Sequence, residues 1–429
     1  MGLIGIFGAI ILIMILAYHG WSTIWIAPIA AALVALTGGL NLLDMYKGPY
    51  MQGFIGFTGN WFPVFMLGAI FGKLMDATGM AQAIAVGISK LFGPKNAVLA
   101  VVIAGSILTY GGVSMFVCVF CLYPICVVLF REANTPRRLI PACITVGVFA
   151  YTMVCIPGTP QIQNLIPTQY FGTTPMAAPW VGIIAGIVMG GGGTIYMMWR
   201  QKRVAAKGEV FTEPPGFIPE PYDKLPNIWL SAVPLVMVVV TLNLLKWDII
   251  VSLLAAIVFI LVANTAKYRT FVEAINEGAK GAMLPIIGVS AINGFGKVVT
   301  TVPAFEQLTD MVTRIPGSPL ISLAVATNVL CGATGSASGG LGLTLTALAP
   351  KYIEIAALQN IPVEVMHRVA AIAASCMDTV PHNGAILTLL AVCGMTHKAS
   401  YRDIFVCTII MPFFGTVAAI IAYDVFGIV

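Results

Sequence analysis

The sequence predicts an all-α, polytopic membrane protein: two repeats of inverted orientation, each with about five transmembrane helices and one re-entrant hairpin, and with broken helices in both halves. Three observations carry this prediction. Hydrophobic residues fill 59% of the 429 positions and charged residues only 9%, with a mean hydropathy of +0.95, whereas soluble domains carry about 25% charge. Seven or more apolar runs reach the roughly 18–20 residues that cross a hydrocarbon core of about 30 Å. They are continuously apolar rather than alternating, which argues against a β-barrel. Finally, a single shift of 224 residues lays Phe71-Gly72-Lys73 on Phe295-Gly296-Lys297, Gly111 on Gly335, Ser114 on Ser338 and Pro157 on Pro381, as an internal repeat would.

Taken in order, spans are expected near 3–18, 22–40 and 54–72, then an amphipathic stretch at 77–92. The uncharged run 97–130 is too long for one span and is interrupted at Thr109-Tyr110-Gly111-Gly112-Val113-Ser114. The run 139–170 is broken at Pro157-Gly158-Thr159-Pro160, where proline removes backbone donors and clashes with the preceding turn. After a span at 176–199 the scheme recurs, with spans near 227–245, 248–266 and 281–297, an interrupted run at 320–349, a broken run at 365–393 and a last span from 404. The organisation is therefore 1–199 as first membrane repeat, 200–226 as a Pro- and Lys/Arg-rich cytoplasmic linker, and 227–429 as the second, inverted repeat. The N-terminus has no basic n-region and no small-residue cleavage site before Trp21, so the first span is expected to stay.

The net charge of +5 sits in short loops and reports topology rather than a nucleic-acid partner. With the linker inside, about 16 of the 22 Lys and Arg are cytoplasmic; Lys47, Lys246, Lys297, Arg314, Lys351 and Arg368 fall outside, and both termini are outside. The nine cysteines all lie in apolar segments, so Cys118-x-x-Cys121 reads as packing rather than as metal or redox chemistry.

Irregular backbone at membrane depth survives only when buried in protein or lining a watery cavity. Paired broken helices in inverted-repeat transporters present half-helix N-termini to anions. The candidate substrate-binding residues are therefore Gly111, Gly112, Ser114, Thr159, Gln161, Asn164, Thr334, Gly335, Ser336, Ser338, Thr379, His382 and Asn383, with Asp378 and His382 as candidates for coupling. A charge at that depth costs at least about 2.5–3.5 kcal/mol, which marks Asp378 and His382 as functional; the alternative is that they pair with each other or with main chain. Thr159, Gln161, Gln163 and Asn164 make a neutral first break that either binds substrate or satisfies freed backbone groups. Asp76 with Lys73, and Glu306 with Asp310, read as solvated or paired charges at span ends. No role is assigned to His19, His367 or His397. H-E-x-x-H, G-x-S-x-G and P-loop motifs are missing, so neither an enzyme nor an ATP-driven pump is expected, and no cofactor or metal.

The segments 71–81, Arg137-Arg138-Leu139-Ile140-Pro141, and His367-Arg368 through Asp378-Thr379-Val380-Pro381-His382-Asn383-Gly384-Ala385 to Thr396-His397-Lys398 resemble the gluconate permease (GntP) family of the ion transporter superfamily. The Pro-His-Asn-Gly stretch resembles its β-hydroxybutyrate permease-like members most. The resemblance implies an inner-membrane homodimer with a scaffold and a moving, elevator-like transport domain, performing proton or sodium symport of a small organic acid, with membrane lipid as its surroundings. It places hairpin tips at 111–114 and 335–338 and broken helices at 157–164 and 378–383. Tyr110-Gly111-Gly112 faces Thr334-Gly335-Ser336 across the repeat, which argues against a symmetric ligand scheme. Rival readings are a cation/proton antiporter, which wants a second buried carboxylate near Asp378, and a membrane-embedded enzyme using Ser338 with His382.

Overall fold

The computed structural model describes residues 2–19, 21–214, 225–381 and 383–429, and its regular elements there are all helical. Nine elements make the first half: α1 (Gly2–Tyr18), α2 (Thr23–Gly38), α3 (Leu42–Ala77), α4 (Met80–Phe92), α5 (Ala97–Tyr110), α6 (Met115–Glu132), α7 (Arg137–Val154), α8 (Ile162–Phe171) and α9 (Pro179–Ala205). Nine more follow in the same order of long and short: α10 (Ile228–Asn243), α11 (Ile249–Ala263), α12 (Thr265–Val299), α13 (Ala304–Thr313), α14 (Pro319–Thr334), α15 (Ala337–Gln359), α16 (Val363–Ala374), α17 (Gly384–Val392) and α18 (His397–Asp424).

Polar caps set many of the boundaries: Ser22, Asn227, Asp248, Ser318 and Thr396 each accept a hydrogen bond from a first-turn N–H of α2, α10, α11, α14 and α18. Several boundaries differ from the sequence expectation; α3, expected near 54–72, runs from Leu42 to Ala77. The helix expected at 281–297 begins at Thr265, because Glu273, Glu277 and Lys280 form a polar-faced extension that apolar-run counting passes over. The amphipathic α13, counterpart of α4, is too short and too polar to register as a span.

The halves pack reciprocally. α3 lies along α12, and α9 along α18; α2 meets α12 as α11 meets α3; α1 meets α13 and α14 as α10 meets α4 and α5; α8 meets α15 as α17 meets α6. α7 and α16, the first pieces of the two broken runs, are buried on nearly every side, α16 with His367 and Arg368 among its apolar residues, while α3, α9 and α18 leave much of their apolar surface exposed, as lipid-facing helices do.

On the face where the two halves join, buried Asp403 accepts from Arg200 Nε at 2.7 Å and Tyr196 OH at 2.8 Å, with Arg138 Nη1 at 3.4 Å. Arg138 also forks onto Glu209 (Nε 2.8 Å, Nη2 2.9 Å), Arg131 meets Glu213 at 2.6 Å, and the Phe211 N–H donates to Asn134 Oδ1 at 3.1 Å. The first part of the linker is thus strapped to the end of α6 and the start of α7. The Arg138 guanidinium holds the Glu209 carboxyl below its ordinary value of 4.5. A depressed carboxylate stabilises the docked state above its free value, and that contribution is lost as pH falls through the lower, docked value. Hydrogen exchange of residues 206–214, corrected for intrinsic rates, is expected to stay slow down to pH 4.5 and to rise below it; in Glu209→Gln it is expected to be fast throughout.

Candidate functional site

Both interrupted runs are built alike. α5 stops at Tyr110, Gly112 turns at φ +96°, and α6 starts after Ser114. α7 stops at Val154, Gly158 turns at φ +78°, and α8 starts after Gln161. From this capping position Gln161 Nε2 donates to Thr109 O at 2.6 Å and Val113 O at 3.3 Å, and Tyr110 OH reaches Pro157 O at 3.2 Å, so the first break is bolted to the first hairpin tip.

In the second half α14 stops at Thr334, Gly335 turns at φ +59°, and Ser336 caps α15 by accepting from the Gly339 N–H at 3.2 Å. Asn383 is the cap of α17. Its Oδ1 accepts from the Ala385 and Ile386 N–H groups at 2.7 and 2.9 Å, and its Nδ2 donates to Gly335 O at 2.8 Å and Asp378 O at 2.7 Å. Only this amide orientation satisfies all four contacts. In each half, then, the amide at the cap position of the second piece of the broken helix holds the hairpin tip, and only Asn383 also caps its helix with the side chain.

Many of the sequence candidates are committed to the fold. Gln161 and Asn164 satisfy freed carbonyls, the alternative that the sequence left open, and so does Asn383, for which only a substrate-binding role was expected. Thr334 Oγ1 donates to Leu330 O at 2.9 Å, and Thr379 Oγ1 to Thr408 Oγ1 at 2.7 Å. Within the two breaks, three buried side-chain oxygens of the described residues have no hydrogen-bond partner: Thr159 Oγ1, Gln163 Oε1 and Asp378 Oδ1. Ser114 and Ser338 are half-buried. His382 lies outside the described residues.

The sequence reading missed the most buried cation. Arg368, assigned there to an outside loop, is fully buried on α16 and donates all five N–H bonds: Nε to Ala177 O (2.9 Å), Nη1 to Val154 O (2.8 Å) and Asn164 Oδ1 (2.7 Å), Nη2 to Pro175 O (3.0 Å) and Ala177 O (2.7 Å). His367, given no role, is equally buried, with Nδ1 at 2.6 Å from Thr173 Oγ1 and Nε2 at 3.3 Å from Asn164 Oδ1. The signal available was the unbroken apolar run 365–374 on both sides of the pair, which leaves them no loop to sit in. Near the span ends, Lys73 pairs with Glu277 at 3.0 Å rather than with Asp76, which accepts from Gln82 and Cys121; Asp310 pairs with Arg314 at 3.7 Å.

Two openings lie elsewhere: a depression of about 780 Å³ at the ends of α14, α15 and α18, and an apolar groove of about 500 Å³ between α5, α7 and α9 that touches the first break only at Ile156 and Pro157.

The GntP family permease model matches residues 1–425. The chain belongs to this family. The permease is 40% identical, over the whole of both chains, to an uncharacterized transporter, YxjC, of Bacillus subtilis. It is 25% identical to an uncharacterized permease of Haemophilus influenzae, over 74% of this chain and 71% of that one. Its fold is similar to that of the Alcanivorax borkumensis YdaH transporter, described as having an unusual topology, with a TM-score of 0.56, 14% identity and 88% of each chain covered. The permease is a multi-pass membrane transporter, not an enzyme.

Proposed function

We propose that the permease is a secondary active symporter that carries a small organic acid anion, a hydroxycarboxylate such as 3-hydroxybutyrate or a gluconate-like acid, together with a proton or sodium ion. It works as a homodimer with elevator-like movement, and its halves are inverted in the cell membrane. The observation that supports this reading best is the pair of tip–break units, each fastened by a side-chain amide, Gln161 or Asn383, and each with a half-helix N-terminus beside buried oxygens without partners. Tip amides with Ser114 and Ser338 would hold the carboxylate, Thr159 and His382 the hydroxyl, and Asp378 the coupling step. Antiport is less well supported, since the first break offers the cation Arg368 where a second carboxylate is wanted.

The test is uptake of labelled 3-hydroxybutyrate, gluconate, lactate and citrate into proteoliposomes under imposed proton or sodium gradients. At least one acid is expected to accumulate, with Ser338→Ala and His382→Ala each lowering the rate about tenfold, the size of one lost hydrogen bond to a charged group. Absence of gradient-driven accumulation of every acid overturns the reading.

A further inference from the structure

The first break is neutral in its own sequence, with Thr159, Gln161, Gln163 and Asn164, whereas the second carries Asp378. In the fold the first break is not neutral. α16 of the second half hands it Arg368, and no carboxylate accompanies the guanidinium among the described residues: its partners are the carbonyls of Val154, Pro175 and Ala177 and the amide oxygen of Asn164. Val154 O is one of the orphan carbonyls at the C-terminus of α7, where a cation is favoured. The side chain reaches it because Gly182 of α9 lacks a Cβ, which would strike the Cys155 carbonyl and crowd the Arg368 side chain. The position 224 residues earlier is Ile144, so only one break receives such a cation.

Fastening carbonyls alone does not call for a charge. A buried ion without a counter-ion is costlier than a buried pair or a neutral amide, and it persists where something uses the charge. The user is indicated next door. Arg368 grips Asn164 Oδ1, Asn164 Nδ2 grips Thr159 O at 2.9 Å, and beside that link lies a buried hydroxyl without a partner, Thr159 Oγ1, which can donate to an anion. We infer that Arg368 is the positioning residue for the anion: a permanent cation that freezes the first break through Asn164 and biases its open side toward negative charge. All five of its donors are occupied, so it acts through the break and does not itself grip the substrate. The inference rests on the proposed anion transport for its electrostatic part and on geometry alone for its fastening part.

Arg368→Lys keeps the charge and loses the fork; Asn164→Asp keeps an acceptor for Arg368 but supplies the missing counter-ion. Hydrogen exchange of 155–161 and 172–178 in the purified permease is expected to quicken about tenfold in Arg368→Lys, with α3 and α12 unchanged. In proteoliposomes Asn164→Asp and Asn164→Ala both lose the donor to Thr159 O and Pro175 O, so the charge is read from the difference between them: the KM for the acid is expected to be about tenfold higher in Asn164→Asp than in Asn164→Ala, and Arg368→Lys to lower maximal rate more than it raises KM. Unchanged exchange in Arg368→Lys overturns the fastening role. An equal KM in Asn164→Asp and Asn164→Ala overturns the electrostatic role. If the wild-type protein takes up no acid, the transport reading fails together with the electrostatic role, while the exchange result still decides the fastening role.

Discussion

Asn383→Ala is expected to abolish accumulation and to lower the melting temperature of the purified permease, the largest single loss among the site residues. The side chain does three jobs. As cap of α17 it satisfies two first-turn N–H groups, worth about 1 kcal/mol. Its amide also serves the carbonyls of Gly335 and Asp378, both in buried surroundings, and leaving each without a donor costs about 1–3 kcal/mol. Together these exceed about 3 kcal/mol, and a tip–break tie weakened by only ~1.4 kcal/mol already spends a tenfold share of its time open. Asn383→Asp separates the jobs. A carboxylate still caps α17 and suits the helix N-terminus, but it donates nothing to Gly335 O. It is expected to keep the melting temperature within a few degrees while losing uptake. If Asn383→Asp transports normally, the amide tie between tip and break is not what the cycle uses.

How much of this was legible in the sequence follows from what each signal measures. Apolar length reports span existence, and the spans stand where hydropathy puts them; it is blind to helix that continues into polar surroundings, hence the missed start of α12 and the missed α13. Glycine and proline report where backbone must turn, and Gly112, Gly158 and Gly335 turn where expected, all with positive φ. Side-chain partners are a different matter. Gln161 reads equally well as a ligand donor or as a partner for freed backbone groups, and Asn383 reads as a ligand, because an amide offers the same atoms to both uses, and only the tertiary approach of tip to break decides between them. Arg368 was misplaced for a deeper reason. Counting Lys and Arg by loop assumes that a cation seeks water, and a guanidinium with five hydrogen bonds to four carbonyl and amide oxygens of three neighbouring segments does not need it. Those acceptors lie 191–214 residues away in the chain, beyond any local pattern.

The second large effect lies where the arms of the second hairpin cross. Gly340 of α15 lies against the backbone of Cys331 on α14, so that a Cβ would overlap the Cys331 Cα and N atoms. Small residues at such crossings let helix backbones close up in a membrane, where van der Waals contact rather than solvent exclusion holds helices together. Overpacking typically costs about 1–3 kcal/mol when side chains can shift; here the obstacle is main chain, and relief requires separating α14 from α15 and with it moving Ser336 and Gly335 away from Asn383. Gly340→Ala is therefore expected to yield little monodisperse protein in detergent and no uptake. Gly68→Ala on α3 is the matched control: its Cβ meets nothing within 4 Å, and alanine is favoured over glycine inside a helix by about 1 kcal/mol, so this variant is expected to match or exceed the parent in stability. Size-exclusion profiles and thermal melts of the two variants side by side check the claim, and a well-behaved, transport-competent Gly340→Ala would mean that the hairpin arms are not held at this crossing during the cycle.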